Sequence, residues 1–244
     1  MKESIYRARR ELFETMDIPV TKADMAVLKW KQRLRLMFWE TVLRSLLTIK
    51  RTVDIVVSLV ALVLLAPLFM GVAVCILIDD GFPVLLMQTR VGLYGREFQL
   101  HKFRSMCRGA EGMKQELLDQ NESTDGVLFK MKNDPRITRV GRVIRRFSID
   151  EMPQFLNVLV GDLALVGPRP PLPEEVARYS LSDRKRLHVK PGLTCLWQIQ
   201  GRSEIPFDGL VSLDMQYIRS QSVLNDLAII IKTIPVVLLG RGAY

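Results

Sequence analysis

The chain has 244 residues, with 35 Lys plus Arg against 26 Asp plus Glu and a formal net charge of +9. That length suits one domain, or one domain with an appendage, and the charge favours anionic partners: nucleic acid, phospholipid headgroups or phosphorylated substrates. Aromatics make up only 7% and no RNP-like run or zinc-finger spacing occurs, so nucleic acid is the weakest of the three. The three cysteines, Cys75, Cys107 and Cys195, form neither a disulfide framework nor a CxxC metal site, and a reducing compartment is the simplest reading.

In chain order, residues 27–51 come first. They mix Lys and Arg with Trp30, Phe38, Trp39 and many Leu. This composition fits a helix lying among lipid headgroups, and equally an amphipathic helix packed on a globular part. Residues 55–78 then run for 24 residues without a charge. As a straight helix they would measure roughly 36 Å, enough to cross a ~30 Å hydrocarbon core. The run lies too far into the chain for a cleaved leader, and no small-residue cleavage site follows. Pro67 stands in its middle, lacks an N–H and predicts a kink. Basic sequence flanks both ends: residues 1–54 carry 12 Lys or Arg. A single span and a re-entrant hairpin bent at Pro67 therefore stand level.

From Asp79 onward the chain is polar and rich in turns. Residues 88–106 predict two short strands around the Gly92–Gly95 turn. Helical composition marks 109–121 and 140–147. In 153–162, Phe155, Leu156, Leu159 and Val160 fall on one helical face, with Pro153 suited to the first helical position. Residues 163–176 read as a strand, a Gly/Pro loop and a helix. Residues 226–240 form an apolar helix interrupted by Pro235, too short for a span, so interfacial or core-packed. There is no internal repeat.

Asp150 and Glu151 are adjacent in "RRFSIDEMPQ". Ser148 and Glu151 have the spacing of a capping box, and Asp150 suits the positive end of a helix. Pro153 weakens that reading, since it would remove a hydrogen bond inside the capped helix. Arginines supply the other reading. Arg142, Arg145 and Arg146 precede the pair, Lys102 and Arg104 lie in "HKFRSM", and Arg169 sits between prolines in "GPRPP". Arginine forks grip phosphate oxygens, and an acidic pair can hold Mg²⁺. Together they suggest a phosphate-handling site. A P-loop is absent, and His101 and His188 give no zinc or triad signature.

The ordered motifs "KFRSM", "DPRITRVGR", "RRFSIDEMPQFLNVLVGDLALVGPRPPLP", "VKPGLTCLWQIQGRS" and "LDMQYI" strongly resemble the bacterial sugar transferases, the monotopic polyprenyl-phosphate phosphoglycosyl transferases, from about residue 48 to the C-terminus. The resemblance implies transfer of a sugar-1-phosphate from a UDP-sugar to undecaprenyl phosphate, with release of UMP and a covalent phosphosugar intermediate. It implies Asp150 as nucleophile, Glu151 as the Mg²⁺-holding carboxylate, and Lys102, Arg104, Arg145, Pro168, Arg169 and Arg202 around the phosphates. It also implies a membrane helix broken at Pro67. The chain has Ala66 where the family has serine, and Cys195 where it has glycine.

The expected fold is α+β: a mostly helical, membrane-associated domain with a re-entrant helix, interfacial amphipathic helices and a small β element. Three segments are expected. Residues 1–47 form a basic amphipathic extension, open to roles as interfacial helix, homodimer contact or partner-binding arm. Residues 48–80 form the membrane helix and 81–244 the catalytic domain. The expected partners are UDP-glucose or UDP-galactose, undecaprenyl phosphate and membrane lipids, and the expected location is the cytoplasmic face of a bacterial inner membrane. The alternatives are a non-catalytic basic scaffold on anionic lipids, and an ordinary glycosyl transferase that releases UDP.

Overall fold

The computed structural model describes residues 22–117, 121–122, 127–129, 131, 133–201 and 205–240. The chain divides into two compact units, one up to Ile49 and one from Lys50 onward. Helix α1, Lys22–Asp80, begins in the first and ends in the second. In the first unit Trp30, Phe38, Trp39 and Leu47 are all exposed. Residues 1–21 of the N-terminal extension lie outside the described residues.

In the second unit α1 continues through Pro67 and is anchored on both sides of it. Before the proline, Arg51 donates to the carbonyls of Val158 and Leu159 at 2.6 and 2.7 Å. These belong to the last turn of a short helix, α4, Phe155–Val160, whose free carbonyls favour a cation. Asp54 accepts the Leu165 N–H at 3.1 Å. After the proline, Val72 and Ile76 pack with Phe103 and Ile144. Between these anchors Leu59, Val60, Val63, Leu64 and Leu68 are exposed. This helix has the length and apolarity to cross a membrane.

Two small sheets complete the α+β fold. β1, Leu85–Val91, pairs antiparallel with β2, Glu97–Phe103. β3, Ala164–Val166, pairs in parallel with β4, Gly192–Thr194. Helices α2, Ala110–Glu116, α3, Arg139–Arg146, and α5, Pro173–Ala177, occupy the stretches between β2 and β4. α6, Leu196–Gln200, α7, Phe207–Arg219, and α8, Val223–Leu239, follow β4. Val158, Leu163, Val166, Tyr217 and Ile229 form the main core with Leu100. The 226–240 prediction becomes α8, which runs through Pro235 without interruption.

The loops after β3 and before β4 cross at two glycines. A Cβ on Gly192 would lie 2.0 Å from the Gly167 nitrogen, and one on Gly167 would lie 2.5 Å from the Lys190 oxygen. Only residues without a side chain permit this approach. The crossing fixes the start of the Pro168–Pro171 loop, since Gly167 donates to Thr194 and Gly192 donates to Pro168.

Candidate active site

Asp150 and Glu151 occupy the first turn of a 3₁₀ helix, Ile149–Gln154, that runs directly into α4. Ser148, before it, has left-handed backbone angles (φ 53°, ψ 24°), and its side chain does not cap the helix. The capping box suggested by the Ser148–Glu151 spacing is therefore not formed. Helical geometry begins ahead of Pro153, as a 3₁₀ turn with the proline inside it; the α-helix predicted from 153 starts at Phe155. Both carboxylates are half-buried. Gln198 of α6 reaches Glu151 at 3.5 Å.

Cations converge on this turn from the hairpin. Gln88 accepts hydrogen bonds from Arg90 Nη2 at 2.7 Å and Lys102 Nζ at 2.9 Å. Gln88 and Arg90 share a strand face, and Lys102 sits one diagonal step away, opposite Leu86. Arg90 is buried and also donates to the Pro170 carbonyl at 3.0 Å. Arg169, on the Pro168–Pro171 loop, lies 3.2 Å from the buried Glu175.

The charges are unevenly matched. Burial, and then the neighbouring Arg169, lower Arg90 from its ordinary 12.5 to about 9. Burial, and then Arg90, lower Lys102 to about 8. Burial, and then Glu151, raise Asp150 to about 7, against the pull of Arg145 and Lys102. A buried arginine pushed down by a second guanidinium marks a place short of anions. A phosphate would supply that charge.

Most sequence-predicted residues come together here. Asp150, Glu151, Lys102, Arg145 and Arg169 all act electrostatically within one group. Pro168 contributes its carbonyl to Gly192 and stiffens the Arg169 loop. Arg104 sits beside the end of α1. Its guanidinium is buried against Asp80, 2.9 Å away, and donates to the Asp80 and Gly81 carbonyls at 2.9 and 2.6 Å. It closes the C-terminal end of α1, where a cation suits the helix dipole. Arg202 lies outside the described residues. Cys195 adopts an extended backbone (φ −156°, ψ 168°) open to any residue, so glycine is not required there. Pro67 lies within α1, exposed beside an exposed Ala66.

Sequence reasoning passed over Arg90, Gln88, Glu175 and Gln198. The alternation Gln88–Thr89–Arg90 before a Gly-rich turn was the signal for the first two, since it puts both on the face that meets Lys102.

The donor set fits a small hard cation. Two adjacent carboxylates, one pushed up to about 7 by burial and its neighbour, are relieved by a divalent ion. Among the described residues no group of three or more His, Cys, Asp or Glu forms a closed cage. Mg²⁺ commonly takes one or two carboxylates and completes its shell with water and substrate phosphate oxygens.

A family model described as bacterial sugar transferase matches residues 45–240. The chain is 47% identical over 204 residues to galactosyl transferase CpsE of Streptococcus agalactiae serotype III (strain NEM316), covering 82% of this chain and 44% of that protein. It is 43% identical to undecaprenyl-phosphate galactose phosphotransferase of Salmonella typhimurium, covering 82% and 43%. It is also 38% identical to exopolysaccharide production protein ExoY of Sinorhizobium fredii, covering 80% of this chain and 88% of that protein. The chain thus spans less than half the length of the first two relatives. It belongs to the bacterial sugar transferase family.

Proposed function

We propose that this chain is a membrane phosphoglycosyl transferase that moves a sugar-1-phosphate from a UDP-sugar to undecaprenyl phosphate and releases UMP. The observation that carries this reading is the carboxylate pair set among Lys102, Arg90, Arg145 and Arg169, with Arg90 and Lys102 both lowered by burial and then by a neighbouring guanidinium. A basic lipid-binding scaffold has no use for a half-buried acidic pair inside that cluster.

In the proposed first step a carboxylate oxygen of Asp150 attacks the β-phosphorus. The bond from that phosphorus to the bridging oxygen breaks, and UMP leaves with the electron pair. The product is an acyl phosphate joining Asp150 to the sugar-1-phosphate. In the second step an oxygen of undecaprenyl phosphate attacks the same phosphorus and displaces the Asp150 carboxylate. Phosphoryl transfer depends chiefly on positioning and charge neutralisation, so a weak nucleophile suffices. Lys102, Arg90 and Arg169 neutralise the phosphate oxygens. Glu151, steadied by Gln198, would hold Mg²⁺ beside Asp150. Bound there, Mg²⁺ would supply charge neutralisation to the diphosphate and its leaving group.

The names of the relatives favour galactose: two of the three carry it. Exopolysaccharide production is the pathway class that the name of the third suggests. A re-entrant α1 on the cytoplasmic face is part of the reading. It is supported by the docking of residues on both sides of Pro67 against the same unit, with the exposed apolar stretch between them.

The test is a panel of UDP-sugars with undecaprenyl phosphate and Mg²⁺, scored for nucleotide product. UMP release is expected, with the best rate from UDP-galactose or UDP-glucose. Release of UDP would point to an ordinary glycosyl transferase, and no Mg²⁺-dependent release would point to the scaffold.

A further inference from the structure

Helix α3 reads RVGRVIRR and contains no acidic residue. Its inner face is packed. Val140 and Ile144 lie against Phe69, Val72 and Ile76 of α1, and the Val140 N–H donates to the Asp79 carboxylate at 3.0 Å, one residue from the end of α1. Its outer face carries Arg139, Arg142 and Arg146. Spacings of three and four residues align them as one ridge. All three are exposed. Among the described residues none of their guanidiniums forms an ion pair, although Arg146 also rests 5.8 Å over the Phe147 ring.

Helix stability does not account for this ridge. Arg139 stands in the first turn, at the positive end of the helix dipole, where a cation is disfavoured. Like charges three and four residues apart repel one another. The ridge therefore calls for anions from outside the described residues.

Its surroundings are apolar and uncovered. Beside the α1 residues that hold α3, Met70, Val74 and Ile78 are exposed, as is Phe82 just beyond the helix. At the other end of α3, Arg146 meets the end of α8: a Cβ on Gly240 would lie 2.8 Å from Arg146 Cγ. α8 exposes Leu224, Leu227, Ile231, Ile234 and Leu238, whose spacing forms a single helical face. A cationic ridge flanked by apolar faces matches the boundary at which acyl chains give way to headgroup phosphates.

We propose that α3 is an anionic-phospholipid site, in which Arg139, Arg142 and Arg146 hold the headgroup phosphates of lipids such as phosphatidylglycerol. Guanidinium forks suit phosphate oxygens. The same helix supplies Arg145, which acts on Asp150 instead, so lipid held on the ridge also steadies the reactive turn at the membrane surface. The site rests on the membrane seating proposed above and not on the transfer chemistry.

The experiment titrates the full chain, in dodecyl maltoside micelles, with phosphatidylglycerol and phosphatidylcholine bearing the same fluorophore. Phosphatidylglycerol should bind at least about ten-fold more tightly, since each arginine near an anionic headgroup contributes roughly five-fold. Arg142→Gln, at the centre of the ridge, should weaken phosphatidylglycerol about five-fold. Replacing all three arginines by glutamine should bring it down to phosphatidylcholine and melt no lower than the parent, since repulsion is removed. Replacing all three by lysine should retain the preference, as should Lys102→Gln in the cation cluster. Equal binding of the two lipids to the parent, or an unchanged preference in Arg142→Gln, overturns the site. So does displacement of the lipid by millimolar glycerol 1-phosphate, which would mark a free-phosphate site, or loss of the preference in Lys102→Gln, which would place the lipid beside Asp150. Labelling of the two ends of the chain from opposite sides of a vesicle, with the preference intact, overturns the hairpin and spares the ridge.

Discussion

At the scale of single residues, the proposed chemistry depends on which groups carry charge. Asp150 is protonated below about 7 and can attack only above it. Lys102 is charged below about 8 and stops neutralising phosphate above it. The pH profile of kcat/KM for UMP release should therefore show an acid limb from Asp150, drawn below that metal-free value as Mg²⁺ relieves the carboxylate pair, and should fall through the second. Lys102→Arg should carry the alkaline limb upward, because guanidinium stays charged; an unmoved limb would assign it to another group. Asp150→Asn should abolish turnover and the trapping of labelled sugar-phosphate, read by mass spectrometry of the intact protein. Arg90→Gln removes a buried charged donor; it should raise the KM for the donor by roughly ten- to a hundred-fold and, because the Pro170 carbonyl loses its partner, also cost about 1–3 kcal/mol of stability. The acidic pair and Arg169 were legible in the sequence, because charges beside prolines stand out. Arg90 was not, because its meaning arises only when strand pairing brings it beside Gln88 and Lys102. The partner of Arg104 was equally hidden. Its neighbours in sequence are site residues, yet its side chain goes to Asp80 across a turn invisible in composition.

Among elements, the predicted strands and the helices α3 and α4 fell within a few residues of their places, since periodicity and turn residues mark them. The 3₁₀ turn of the dyad did not announce itself. Its proline argues against one long helix, and only packing selects the tighter winding. The crossing of the two loops at Gly167 and Gly192 was equally hidden, for a close backbone approach leaves no trace beyond two ordinary glycines. It yields a firm prediction. Gly192→Ala places a methyl carbon against the Gly167 nitrogen and should cost about 3 kcal/mol or more, seen as a clear fall in melting temperature. A melting temperature within a degree or two of the parent would mean that the loops part easily. A subtler variant is Tyr217→Phe. The Tyr217 hydroxyl lies 2.9 Å from the Val166 carbonyl and 2.8 Å from the Asp226 carboxylate, both acceptors for its proton, just before the loop that bears Arg169. Its loss should cost about 1 kcal/mol and raise the donor KM more than it lowers kcat.

For the whole molecule the open question is topology, which sequence left level between span and hairpin. Single cysteines at Lys2 and Leu239, in a chain whose Cys75, Cys107 and Cys195 are replaced by serine or alanine, should label from the same side of sealed vesicles. Labelling from opposite sides would exclude the hairpin. The family and the helix-rich α+β architecture could be read from the ordered motifs. The anchoring of α1 could not, since Arg51 and Asp54 look like the ordinary edge of an apolar run.

That anchoring bears on how such enzymes can be recombined. Arg51 grips the far end of α4, and α4 continues from the very turn that carries Asp150. The apolar segment and Asp150 are thus registered to each other through one short rod. A chimaera grafting a foreign membrane segment from Leu59 onward keeps that registration. One that replaces everything up to Asp80 discards it, and would have to import its own counterpart of Arg51 to set the carboxylate at the right height above the lipid.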